Sequence, residues 1–158
     1  MKLMTKETYT LIKDEVSVKV SASAPESLRN KRIKRTGVRV YKDGCLGISG
    51  YMGETGAEEA AARAEAALAY RIAYPGQPSG NLVRSVTVGG KPFTPEALDA
   101  EVAAILTALR KDFPQFALTS PSVKTGTYTV ALKNDAGLDL FSAITLHEFV
   151  FLYKMNSS

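Results

Sequence analysis

Few side chains in this 158-residue sequence could carry chemistry at a reacting centre. The sole histidine is His147, followed by Glu148. A zinc-peptidase helix needs a second imidazole one turn later, so that both rings point at one metal. Phe151 and Leu152 stand there instead, and the surrounding segment alternates as a strand. His147 therefore reads as a structural or surface residue. The sole cysteine, Cys45, follows an Asp-Gly turn that offers no base to activate it, so it reads as an incidental thiol. With one histidine and one cysteine, a zinc site would need several carboxylates. No Ser/His/Asp order forms a pattern. The sequence thus nominates no catalytic residue and no metal ligand.

Two stretches carry spacing that could meet phosphate. The first is GVRVYKDGCLGISG, with glycines at Gly37, Gly44, Gly47 and Gly50. A dinucleotide-binding loop lies between a strand and a helix N-terminus, where backbone N–H groups and the helix dipole converge on the anion. Here the glycine spacing differs and a strand follows the turn, so the stretch reads as a hairpin. The second is the basic run RNKRIKR at residues 29–35, holding Arg29, Lys31, Arg32, Lys34 and Arg35. Residues 1–50 carry 11 Lys/Arg against 5 Asp/Glu, while residues 51–158 carry 9 against 11. Such a run either tracks a phosphate backbone or is the solvated face of a strand. No aromatic side chains interleave it to stack on bases, which favours the solvated strand.

The elements that must hold these residues follow from periodicity. EVSVKVSAS alternates, with Val16, Val18 and Val20 on one face and Ser17, Lys19 and Ser21 on the other. That pattern predicts a strand with one buried face. SLRNKRIKR is a weaker strand. Val38 and Val40 alternate with Arg39 and Tyr41, and after the Asp43-Gly44 turn Leu46 and Ile48 continue the pattern. On this pattern Arg39 and Lys19 belong to the polar face. Thr55 and Glu58 have capping-box spacing and open an alanine-rich helix reaching about Ala73, anchored by Leu68 and Ile72.

A loop at residues 74–81 leads to a short strand, NLVRSVTV, ended by Gly89 and Gly90. Thr94-Pro95-Glu96 opens a second helix, with a cap residue, a proline at the first position and an acid in the first turn. Its stripe is Leu98, Val102, Ile105, Leu106, Leu109 and Phe113, and Pro114 ends it. TYTVALKN forms a strand, residues 134–137 a turn, and LDLFSAITLHEFVFLYKM one or two final strands. The last of these is apolar on both faces and should be covered on both. The predicted fold is a single α+β domain over 1–158. A largely antiparallel or mixed β-sheet carries two α-helices on one face.

Composition sets outer bounds. At 45% hydrophobic and 23% charged residues, the sequence is that of an ordinary globular domain, with no apolar run of the roughly 18 residues a membrane helix needs. Charge is mixed into every turn of the first residues, so no secretory signal is predicted. A single cysteine suits a reducing compartment. The expected location is the cytoplasm.

The stretch TGVRVYKDGCLGISG, followed by an alanine-rich helix, resembles the signature of the TldD/PmbA family. Arg39, Val40, Asp43, Gly44 and Gly47 match the R-V-x-x-D-G-x-x-G part of its hairpin, and Gly37, two positions before Arg39, stands for its leading glycine. In VALKNDAGLDLFSAIT, Asn134, Gly137 and Leu138 match the family's N-S-x-G-hydrophobic turn, with Asp135 in place of the usual serine. The resemblance spans about residues 15–154. It implies the N-terminal domain of a longer zinc metallopeptidase, of a family historically called modulators of DNA gyrase. Family members act as homo- or heterodimers on unfolded or small peptides. The zinc site lies on a His-Glu-x-x-x-His helix of a C-terminal domain. By that resemblance this chain holds no cofactor, is not an enzyme alone, and partners its own C-terminal domain. A nucleic-acid-binding module using Arg29, Lys31, Arg32, Lys34 and Arg35 is the alternative.

Overall fold

The computed structural model describes residues 4–21, 24–76, 78, 80–118 and 122–155. In chain order the elements are β1 (Thr5–Ser21), β2 (Ala24–Lys42), β3 (Cys45–Met52), α1 (Ala57–Ala67), a 3-10 turn (Leu68–Tyr70), β4 (Ile72–Ala73), β5 (Leu82–Val88), α2 (Pro95–Asp112), β6 (Phe116–Leu118), β7 (Ser122–Asn134), β8 (Leu138–Val150) and β9 (Tyr153–Met155). Seven strands form one sheet in the order β4-β3-β2-β1-β7-β8-β5, and β6 pairs with β9 in a separate ribbon. The large sheet is mixed, because β3 runs antiparallel to β2 and β4 while β5 runs parallel to β8. The fold is α+β, as the alternating strands and two capped helices predict.

The chain divides into two compact units. One gathers Met1–Lys13, Ile33–Val88 and Tyr128–Ile144, and the other Asp14–Arg32, Gly89–Thr127 and Thr145–Ser158. In the first, Val38 and Val40 of β2 pack against Ala60 and Ala64 of α1. In the second, Leu98, Val102 and Leu106 of α2 pack against Val18 and Val20 of β1 and Val123 of β7. Burying each of these leucines and valines is worth roughly 1.5–3 kcal/mol. Lys19 and Arg39 lie on the wet side of their strands, with side chains 67% and 51% exposed, as their parity predicts.

α2 begins as its sequence dictates. The Thr94 hydroxyl accepts the Ala97 N–H at 3.2 Å and Pro95 takes the first helical position. α1 departs from expectation at both ends. Its N-cap is Gly56, in a left-handed conformation and with no side-chain cap. The α-helix stops at Ala67, and Ile72 belongs to β4, where it pairs with Leu46. The tertiary pairing with β3 takes precedence over the helical propensity of the alanine tract. Two other bounds also move. β1 begins at Thr5 rather than near Glu15, and the basic run joins Val38 and Val40 in one 19-residue strand, β2.

Candidate functional site

The β2–β3 hairpin closes in two residues, with Lys42 opposite Cys45. Asp43 (φ 51°) and Gly44 (φ 74°) are both left-handed, the geometry of a tight turn whose twist matches its strands. Gly47 faces α1. A Cβ there would lie 1.9 Å from the Ala64 carbonyl oxygen, so only glycine lets helix and strand approach this closely. Ala60 and Ala64, fully buried, complete the contact. Arg63 secures it from the rim, donating to Ser49 Oγ at 3.1 Å and to the Gly50 carbonyl at 3.2 Å, and pairing with Glu59 at 2.5 Å. Gly37 is different, because a Cβ there meets nothing and no feature of the structure requires glycine.

Arg39 is on the wet face but is not idle. Its Nη1 lies 3.3 Å from Oε1 of Glu7, which is 6% exposed, and the Tyr41 hydroxyl donates to the same oxygen at 2.9 Å. The Tyr41 phenol oxygen first, and Glu7 after it, hold the Arg39 guanidinium above its usual range against the opposing effect of burial. Burial first, then the bond to Glu7, pushes the Tyr41 phenol up. The Tyr74 ring lies 5.0 Å from that of Tyr41. Beside them opens a cleft of about 410 Å³ whose walls include Thr5, Tyr41, Lys42, Asp43, Tyr74 and Pro75. Half-buried Cys45 borders it. Sequence reading missed Glu7, whose only signal is an acid among β-forming residues of β1.

The second motif is also a turn. Asn134 Oδ1 accepts the N–H groups of Ala136 (2.9 Å) and Leu138 (3.0 Å), and Gly137 is left-handed at φ 89°. Asp135 ties the turn to β1. Its carboxylate accepts the Lys6 N–H at 3.0 Å, and its own N–H donates to the Lys6 carbonyl at 3.1 Å. Lys6 in turn pairs with Glu65 at 2.5 Å.

In the other unit, His147 Nδ1 is 2.8 Å from the hydroxyl of Thr125, itself 1% exposed, and its ring meets the Phe93 ring edge-on at 5.0 Å. The Phe93 N–H also reaches that hydroxyl, at 3.3 Å. The imidazole is thus tied into the packing around α2. Among the described residues no group of three or more His, Cys, Asp or Glu side chains could hold a metal ion. The donor set does not fit zinc.

The basic run is divided by the strand that carries it. Along β2, strand alternation puts Arg29 and Lys31 on the face opposite Arg32 in one unit, and Arg35 on the face opposite Lys34 in the other. Arg32 pairs with Asp14 at 3.0 Å and Lys34 pairs with Glu54. No ion pair to Arg29, Lys31 or Arg35 is found among the described residues.

Residues 12–69 match the family model described as PmbA/TldA metallopeptidase domain 1. That segment runs from β1 through the hairpin and α1. No curated protein matches the chain. Two solved structures share the fold. One is a candidate modulator of a DNA gyrase from Thermotoga maritima, with a TM-score of 0.70, 12% identity, and coverage of 98% of this chain and 37% of that one. The other is TldE from Thermococcus kodakarensis, with a TM-score of 0.69, 15% identity, and coverage of 97% and 40%. The chain thus spans well under half the length of either structure.

Proposed function

We propose that this chain is an N-terminal domain of the TldD/PmbA family, the non-catalytic part of a cytoplasmic zinc metallopeptidase, a reading supported by the family match over residues 12–69 and by the shared fold. In this reading the domain packs on a following catalytic domain, contributes to homo- or heterodimerisation, and borders the path by which unfolded or small peptides reach the zinc. One observation carries it: nearly all of this chain superposes on a minor part of longer chains of the same fold. The chain's own chemistry agrees, since its one histidine is spent on Thr125. Exposed apolar side chains supply a surface to cover. On β8, Phe149 packs on the α2 core while Leu146 and Val150, 51% and 39% exposed, face away. The encoding reading frame tests this directly. A His-Glu-x-x-x-His helix downstream of Ser158 is expected, and a continuous frame with no zinc-ligating helix refutes it.

The nucleic-acid reading has less support. A strand that sends its basic residues to opposite faces, two of them already ion-paired, offers no continuous cationic stripe.

A further inference from the structure

β5 is the outer strand of the seven-stranded sheet. One edge bonds to β8 in parallel, from Leu82 opposite Leu138 to Val88 opposite Ile144. No strand among the described residues takes the other edge. All seven residues are exposed, among them Val83 at 79%, Val88 at 53% and Leu82 at 50%. The strand is held firmly at its start. The Asn81 N–H bonds to the Ala136 carbonyl at 3.0 Å, and the Leu82 N–H to that of Gly137 at 3.2 Å. Exposed edges are normally protected by lysine, proline, a bulge or a short length. β5 has no lysine and no proline, and a single charge, Arg84.

We propose that two copies of this chain join through β5, paired antiparallel about a two-fold axis at Ser85. This names the surface for the dimerisation proposed above and rests on it. The sequence of the strand, LVRSVTV, is complementary to itself in that register. Leu82 faces Val88 of the partner subunit, Val83 faces Thr87 of the partner subunit, and Arg84 faces Val86 of the partner subunit. Branched and apolar residues thus meet in the Leu82–Val88 and Val83–Thr87 pairs, the pairing sheets favour, while Arg84 lies against Val86. The other edge strand, β4, has only two residues, so a head-to-tail β5–β4 contact would bond little and leave an open chain of copies. The β5–β5 contact closes. The two Arg84 side chains lie diagonally at roughly 7–8 Å, where salt screens their repulsion. Added salt therefore strengthens the dimer.

Sedimentation velocity of the full chain is the test. Wild type is expected to dimerise with rising concentration, more readily at high salt. Val83→Lys places two lysines at the seam and is expected to weaken association by at least about tenfold. At concentrations low enough for both proteins to be monomeric, its melting temperature stays that of wild type, because Val83 is exposed in the single chain. In a Cys45→Ser background, Ser85→Cys is expected to oxidise to a covalent dimer, whereas Tyr70→Cys, also exposed but outside β5, does not. A dimer that survives Val83→Lys, or equal cross-linking at both positions or at neither, overturns the β5 interface and leaves dimerisation standing. A wild type that stays monomeric, its β5 then free for another segment or peptide, overturns both.

Discussion

A methyl group at position 47 would collide with the Ala64 carbonyl, and backbone cannot rotate aside as a side chain can. Gly47→Ala must lift α1 from the hairpin or bend β3, and overpacking of this kind costs about 1–3 kcal/mol. Gly37→Ala, facing open space, is expected to change stability by less than about 0.5 kcal/mol. Urea unfolding of the two variants checks this, and equal costs would refute the close approach. The sequence match treats both glycines alike, and only the geometry separates them. Arg39 teaches a similar lesson. Its parity correctly places it in water, yet it helps neutralise a buried carboxylate. Tyr41→Phe leaves Glu7 short of a donor and is expected to cost about 1–2 kcal/mol. Arg39→Ala should cost less, about 0.5–1 kcal/mol, because the guanidinium is half exposed and screened. The folded phenol of Tyr41 is raised above its ordinary value near 10. Its contribution is therefore present below about pH 10 and is lost as pH rises through the folded pKa. The raised Lys6 acts in the same direction near the same range. Melting temperatures between neutral and strongly alkaline pH should fall more steeply for wild type than for Tyr41→Phe, which retains Lys6. Parallel curves would show that Tyr41 does not titrate differently on folding.

Among the elements, period was legible where one face is dry, and so was the cap of α2 but not that of α1. Val18, Val20, Val38 and Val40 are buried as alternation predicts, and α2 follows its cap and buries Leu98, Val102 and Leu106 of its stripe, while Phe113 is an exposed C-cap before Pro114. Val18→Asp forces an unpaired charge among Leu98, Val102 and Leu106 and is expected to abolish cooperative unfolding. Lys19→Ala, at an exposed pair with Glu26, should shift stability by less than about 0.5 kcal/mol. Circular dichroism melts of both variants check the facing, and similar losses would contradict it. Elements whose limits depend on distant partners were less legible. The first half of β1, TKETYTLIKD, mixes β-formers such as Tyr9, Thr10 and Ile12 with charges that spoil the alternation. Asp14 pairs with Arg32, while Lys6 and Glu7 are taken up by Asp135, Glu65, Arg39 and Tyr41. A sequence reads those charges as solvent-facing because the partners lie dozens of residues away. α1 ends early for a related reason, since Ile72 finds its partner in β3, which no local propensity encodes.

At the scale of the whole molecule, little chemistry and much surface remain. No helix among the described residues is long and apolar enough to cross a membrane. The +4 net charge is concentrated in the first 50 residues and partly neutralised by Asp14 and Glu54. Any association with duplex DNA should accordingly be weak and vanish at moderate salt, and a fluorescence-anisotropy titration with a salt-resistant, tight complex would refute this. In the proposed reading this domain serves a peptidase without performing the cleavage. Metal content and peptide turnover of the purified chain, measured on one preparation by elemental analysis and by cleavage of unstructured peptides, test it most directly. No stoichiometric zinc and no cleavage are expected, because the single imidazole is bonded to Thr125 and no second one stands beside it. About one zinc per chain together with cleavage abolished by a chelator would contradict it.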